Sequence, residues 1–235
     1  MSETSSPTSV DVVIVGGGAA GLATAIFVAR RNPKLLVVVL DGAKKLGAKI
    51  LISGGGRCNV TNDVVTADDF WGGSRNVIRR VLAAFTADAT VEFFRELGVS
   101  LHVEPGGKMF PDTNRARTVL DALVGEAARR GVQILTGHRV TGIDRKDDHF
   151  ELTTAARVSR ARRIVLATGG RSVPKTGSDG TGYQFARSLG HSLVSQTPAL
   201  VPLLLEGGFH AGLSGVSQDV EMTVRVEGAR PMRLR

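Results

Sequence analysis

A hydrophobic run that ends on glycines constrains this chain more than any other feature. Asp11 to Val15 reads DVVIV and passes directly into Gly16-Gly17-Gly18-Ala19-Ala20-Gly21. A short unbroken β-branched run bounded by glycine has the pattern of a strand buried on both faces. From Gly18 to Arg31 the alanines and aliphatic residues recur at helical spacing, with no breaker before Asn32 and Pro33. Leu35 to Leu40, LLVVVL, repeats the buried-strand pattern and is closed by Asp41. Strand, glycine turn, helix and strand make a βαβ unit, which crosses over right-handedly. The implied fold class is α/β, with a parallel, Rossmann-like sheet at its centre.

Gly16-x-Gly18-x-x-Gly21 lies where that first strand meets its helix. Alone the pattern is weak, but here it sits in the context its mechanism requires. Gly16 permits the tight turn, Gly18 lets backbone approach a pyrophosphate, and Gly21 lets helix and strand pack closely. The helix start at Ala19 and Ala20 offers free N–H groups and a positive dipole end to the phosphates. Asp41 follows Gly21 by 20 positions and is placed to accept hydrogen bonds from ribose hydroxyls. Its charge disfavours a 2′-phosphate, which argues against NADP here. Downstream, Val165-Leu166-Ala167-Thr168-Gly169-Gly170 has the form of the second signature of two-dinucleotide-fold flavoproteins, where the chain returns beside FAD. His138-Arg139-Val140 fits the strand whose backbone reads the adenine, with Val140 as the contact. FAD is therefore the expected cofactor.

The remaining pattern predicts helices over residues 76–85, 89–97, 116–130 and 180–189, the last closed by Gly190. Leu101 to Phe110 reads as a hairpin turning at Pro105-Gly106-Gly107, and strands are expected over residues 132–135, 139–143, 150–154 and 163–166. Residues 1–10 are polar and lack the basic start and apolar core of a secretion signal, so they read as a disordered tail on a cytoplasmic protein. No apolar run approaches membrane-spanning length, so no membrane is expected. Cys58 is the chain's one cysteine, which excludes an internal disulfide and a cysteine-based metal site. The five histidines lack ligand spacing, and no metal is expected. Gly170 to Thr176 imitates a phosphate loop, but Pro174 cannot supply the N–H or the positive φ that such a loop needs. Gly212-Leu213-Ser214-Gly215 likewise misses the spacing of a serine-hydrolase elbow. The net charge of +8 is read chiefly as a solvated basic surface. One local cluster stands out, with Arg157, Arg160, Arg162, Arg163, Arg171 and Lys175 uninterrupted by any acid.

Lys49 to Asn62, KILISGGGRCNVTN, gathers three successive glycines, an arginine, the cysteine and two asparagines in one loop. Behind a dinucleotide-binding helix such a segment is expected to run along the cofactor. Gly54, Gly55 and Gly56 would then be bare so that backbone can touch diphosphate or ring. Arg57 would offset phosphate or reduced-flavin charge, and Ser53, Asn59, Thr61 and Asn62 would donate to oxygens. Lys49 and Cys58 complete the assigned set. Cys58 is read first as a small side chain in a tight loop, with a thiol near flavin as the alternative. No catalytic residue is assigned.

With GGGAAG before it and ATGG after it, this loop resembles the HI0933-like (YhiN- and BaiN-like) flavoproteins, often labelled NAD(P)/FAD-dependent oxidoreductases. Further matching pieces are Gly107 to Pro111, Gly177 to Tyr183 and Pro198 to Leu203, so the resemblance runs from Asp11 to Glu227. It implies a glutathione-reductase-like FAD domain over residues 11–197 and the start of an inserted, mostly β domain over residues 198–235. It also implies a longer protein, because chains of that family complete the inserted domain and return to the FAD fold with a late glycine-rich segment. The chain is accordingly expected to be incomplete as a catalyst. The expected activity is hydride transfer between FAD and a small unsaturated or amine-bearing substrate. There is no second Gly-x-Gly-x-x-Gly, so NAD(P)H stays open as electron donor without a domain of its own. Reduction of a base in RNA is one alternative, motivated by the basic cluster. A silent FAD-binding fragment, or one subunit of a split enzyme, is the other.

Overall fold

The computed structural model describes residues 9–198, 207–208, 212–213 and 221–234. The chain divides into two compact units, one reaching Ser195 and one starting at Gln196. In the first unit β1 (Ser9–Val15) is followed by α1 (Ala19–Arg31) and β2 (Val37–Leu40). A short α2 (Ala48–Ile52), a 3₁₀ turn over Ser53–Gly56 and β3 (Thr61–Asn62) come next. Then come α3 (Arg75–Ala84), α4 (Ala87–Glu96), β4 (Leu101–Val103), β5 (Lys108–Pro111) and α5 (Ala116–Arg129). The unit closes with β6 (Gln133–Leu135), β7 (Val140–Arg145), β8 (Phe150–Thr154), β9 (Val158–Leu166) and α6 (Thr181–Ser188).

Six strands form the main sheet in the order β6-β2-β1-β9-β8-β7. β1 lies parallel to β2 and β9, and β2 lies parallel to β6. β8 and β7 extend the β9 side as an antiparallel meander. The central strands are buried on both faces, which is why they read as continuous apolar runs. Val12, Ile14, Val37 and Val39 face a helical layer containing Leu22 and Ile26 of α1 and Leu120 and Leu123 of α5. Val13, Val15, Val38 and Leu40 face the other side, with Ile143, Leu152 and Phe185. A polar tie reinforces the helical layer. The buried Glu126 of α5 accepts from Arg30 of α1 at 2.9 and 3.1 Å, and from Arg129 and Arg130 at the end of its own helix.

Several boundaries differ from the expected ones for identifiable reasons. β1 begins at Ser9, so its first two residues, Ser9 and Val10, are not tail, and Val10 pairs with Ala161. β9 begins five residues before the expected start at Arg163, because residues 158–161 pair with β8 while residues 160–166 pair with β1. The hairpin forms as expected, with His102 opposite Phe110. A third strand, β3, adds to it through Thr61 opposite Met109. In the second unit β10 (Met222–Val224) pairs antiparallel with β11 (Met232–Leu234). Most of the matching piece at Pro198 to Leu203 lies outside the described residues, as does Ser214 of the rejected serine elbow.

Candidate functional site

A cavity of about 780 Å³ opens where β1, β2 and β9 end, lined there by Val15, Gly16, Leu40, Asp41, Leu166 and Ala167. The carboxyl ends of parallel strands are where open α/β sheets place their ligands. The glycine turn makes this convergence possible. Gly16 has φ +110°, and a Cβ on it would lie 2.4 Å from the Ala167 oxygen. Gly21 is equally constrained, since its Cβ would fall 1.8 Å from the Gly16 oxygen. Gly18 is different. A Cβ there would meet nothing within 4 Å, and the residue lines the cavity, so its open side faces the ligand space.

Gly18 also precedes α1 without a side-chain cap, and the first turn of the helix carries no acid. The N–H groups of that turn and the positive end of the helix dipole are thus left to an anion. Asp41 is held in place by two backbone donors, Gly17 N at 2.6 Å and Ala43 N at 2.7 Å. Each carboxylate oxygen keeps a further lone pair, enough for a pair of ribose hydroxyls. Bare turn, uncapped helix and oriented carboxylate together fit the diphosphate and ribose of a dinucleotide.

The assigned residues separate into two groups. Gly16, Gly18, Ala19, Ala20, Asp41, Lys49, Ser53, Cys58, Asn59, Val140, Ala167, Thr168 and Gly169 line the cavity. Gly21, Gly54, Gly55, Gly56, Arg57, Thr61, Asn62 and Gly170 lie outside its lining, for separate reasons. Gly54, Gly55 and Gly56 adopt φ of 55°, 68° and 88°, and Cys58 comes next but one at 66°. The glycines are thus accounted for by a left-handed path. A Cβ on Gly54 would lie 2.7 Å from Asn59 N and 2.7 Å from the Phe110 ring, so protein atoms already exclude a side chain there. Arg57 is bound to Glu104 at 2.5 and 3.2 Å and stacks over Phe110 at 4.0 Å. Its charge holds the Glu104 carboxyl below the usual range and is directed away from the ligand space. Thr61 and Asn62 are occupied in the β3–β5 ladder.

Cys58 is only 6% exposed and belongs to the helical-side core. Burial pushes its thiol up, against a smaller opposing pull from Ser53, so the group is a neutral thiol. The cavity also continues past the glycine turn onto Phe85, Phe93, Phe94, Val119 and Leu123, an apolar wall on residues that the sequence pattern assigned only to helices. Two further lining residues, Arg139 and Asp179, pair with one another. Both stand in stretches already singled out, beside Val140 and within Gly177 to Tyr183, but nothing in the spacing joins positions 40 residues apart. In the basic cluster Arg160 pairs with Glu151 at 3.3 Å and Arg162 lies 4.0 Å from Asp11, so part of its charge is internally balanced.

Comparison with known proteins gives this geometry a family. Residues 10–218 match the profile of the HI0933-like protein Rossmann domain. The chain is 37% identical over 209 residues to a 3-dehydro-bile acid delta(4,6)-reductase of Clostridium scindens, covering 89% of this chain and 51% of that protein. It is 31% identical over 217 residues to a ribosomal RNA dihydrouridine synthase of Haemophilus influenzae, covering 90% and 53%. The chain thus spans about half the length of the curated relatives it matches. Among solved structures, a flavocytochrome c3 fumarate reductase in its open conformation superposes with a TM-score of 0.61 at 20% identity, over 79% of this chain and 41% of that one. A 3-ketosteroid-delta4-(5alpha)-dehydrogenase from Rhodococcus jostii RHA1 does so at 0.53 and 18%, over 81% and 56%. These two likenesses speak to the fold alone.

Proposed function

Because the chain belongs to the HI0933-like family of FAD-dependent oxidoreductases, we propose that its cavity holds FAD beside a small unsaturated substrate that exchanges a hydride with it. One observation carries the reading: the bare turn at Gly16 and Gly18, the oriented Asp41 and the returning Ala167-Thr168-Gly169 all line one cavity. In this assignment the N–H groups at Ala19 and Ala20 take the diphosphate, Asp41 takes the adenosine ribose, and Val140 lies at the adenine. Ser53 and Asn59 are assigned to the ribityl and ring end, while Lys49 lines the same cavity with its ammonium bound to Ser172 O and Ser178 Oγ. When bound, FAD supplies two-electron hydride chemistry, while the protein orients it and excludes water. The apolar wall at Phe85, Phe93 and Phe94 favours a carbon-rich substrate over a charged one.

NAD(P)H is the proposed electron donor, the class of reductant that the resemblance to NAD(P)/FAD-dependent oxidoreductases implies. A single cysteine in 235 residues supports work in a reducing compartment such as the cytoplasm. Among the described residues no helix is long and apolar enough to cross a membrane. A second reading, reduction of a base in RNA, draws on the similarity to a ribosomal RNA dihydrouridine synthase and on the net charge of +8. The two readings part in one anaerobic experiment. Chain loaded with FAD and reduced chemically is mixed with a conjugated enone or with uridine-containing RNA, and reoxidation of the flavin is followed at its visible band. Reoxidation by the enone supports the first reading, and reoxidation by RNA alone supports the second. A chain that takes up no FAD overturns both.

A further inference from the structure

Between β9 and α6 the chain does not pass straight from strand to helix. It makes an excursion from Gly169 to Gly180, of which Thr176, Gly177, Ser178 and Asp179 line the cavity. The segment is closed at its ends by its own packing. A Cβ on Gly169 would lie 2.4 Å from Ser178 Oγ, and one on Gly180 would lie 2.7 Å from Arg171 Nε. Its internal backbone hydrogen bonds are those of a single 3₁₀ turn, Thr176 N to Val173 O and Gly177 N to Pro174 O, each at 2.9 Å.

Two cations from other elements tie this excursion to the body of the unit. Lys49, on α2, donates through Nζ to Ser172 O and to Ser178 Oγ, both at 2.7 Å. Arg139, in the turn that enters β7, pairs with Asp179 and donates to Thr181 Oγ1 at 3.1 Å. Asp179 is itself fixed, since it accepts from Thr181 N at 3.1 Å and from Thr181 Oγ1 at 2.7 Å. Ser178 is 6% exposed, so the Lys49–Ser178 bond is partly buried, while the bond to Ser172 O is exposed. Both cations also line the cavity. They therefore stand where they govern access as well as conformation.

We propose that Lys49 and Arg139 are positioning residues that clasp the Gly169–Gly180 segment over the cofactor cavity and so set how fast FAD enters and leaves. The proposal rests on the assignment of that cavity to FAD. The Arg139–Asp179 half of the clasp does not open by titration near neutrality. Thr181, through hydroxyl and backbone, together with Arg139, holds the Asp179 carboxyl at about 2. Salt, which screens an exposed pair, is the condition that loosens it.

Two measurements on the whole chain test the clasp. The first is amide hydrogen exchange of residues 170–180 in FAD-free protein. The second is the rate of FAD release, read from the recovery of flavin fluorescence on dilution. Arg139→Gln should quicken both about three- to fivefold, as befits a half-exposed pair, and Lys49→Met should do so by about tenfold, with exchange in β1 and α1 unchanged. Asp179→Asn should quicken both at least as much as Arg139→Gln, since it also weakens the bonds from Thr181. The two together should add less than the sum of their single effects, because both cut the Arg139–Asp179 pair. Arg139→Lys should restore part of the wild-type rate. Unchanged exchange over residues 170–180 overturns the proposal, and so do unchanged release rates once exchange has quickened. A wild-type chain that takes up no FAD overturns both the clasp and the reading beneath it. Normal uptake with unaltered release in the variants overturns the clasp alone.

Discussion

Gly16 and Gly18 are two residues apart in one motif, yet they answer to different demands. At Gly16 a side chain is excluded by the protein itself, through a left-handed φ and the Ala167 oxygen 2.4 Å from an added Cβ. Gly16→Ala should therefore cost about 3 kcal/mol or more in chemical unfolding. At Gly18 an added Cβ meets no protein atom, so Gly18→Ala should cost about 1 kcal/mol or less in stability. The same methyl enters the space assigned to the diphosphate and should weaken FAD binding by roughly 1–3 kcal/mol, measured by flavin fluorescence titration. Equal losses of stability at both positions would contradict this division. Cys58 gives a second residue-level test. Its buried, neutral thiol should react with a disulfide reagent about two orders of magnitude more slowly in the native chain than in denaturant.

Between elements, α1 and α5 are joined through one carboxylate. Burial raises the Glu126 carboxyl, but the hydrogen bonds from Arg130, Arg30 and Arg129 outweigh it and bring it to about 2, from an ordinary 4.5. A folded-state value below the unfolded one means that Glu126 stabilises the fold above about pH 4.5, and that this contribution is lost as pH falls towards 2. Glu126→Gln should lower stability at pH 7 by roughly 2–3 kcal/mol and flatten the acid limb of the stability profile, read from urea unfolding at stepped pH. How much of this architecture the sequence discloses depends on what each element owes to its neighbours. The β1–α1–β2 unit is legible because burial on both sheet faces leaves an unbroken apolar run, and the glycines mark places where no Cβ fits. The first half of β9 is hidden, since its inward residues are Ser159 and Ala161 and its outward ones Arg160 and Arg162, an alternation that looks merely basic. The turn at Gly54 to Cys58 has no period at all, and the engagement of Arg57 depends on Glu104, 47 positions away. The residues of the glycine motif could be read from spacing; Arg139, Asp179 and the wall at Phe93 could not, because chain folding alone brings them to the cavity.

For the molecule as a whole, the division at Ser195 leaves the described lining of the site within the first unit. Among the described residues, each one that lines the cavity lies at or before Phe185. A chain ending at Ser195 should thus fold and bind FAD with the affinity of the full 235 residues, within about threefold. A calorimetric FAD titration of both chains checks this, and a large loss on shortening would place part of the site beyond Ser195. The sheet topology has a further consequence, for synthesis on the ribosome. β1 is a central strand, but its β9 neighbour is far along the chain: Ile14 pairs with Val165, 151 positions later. At roughly 5–20 residues per second, translation leaves one flank of β1 unpaired for about 8–30 s. During that interval Val12 to Val15 presents an open, apolar edge that nothing yet synthesised can cover. The nascent chain should therefore bind a hydrophobic-strand chaperone until residue 166 clears the exit tunnel and let go soon afterwards.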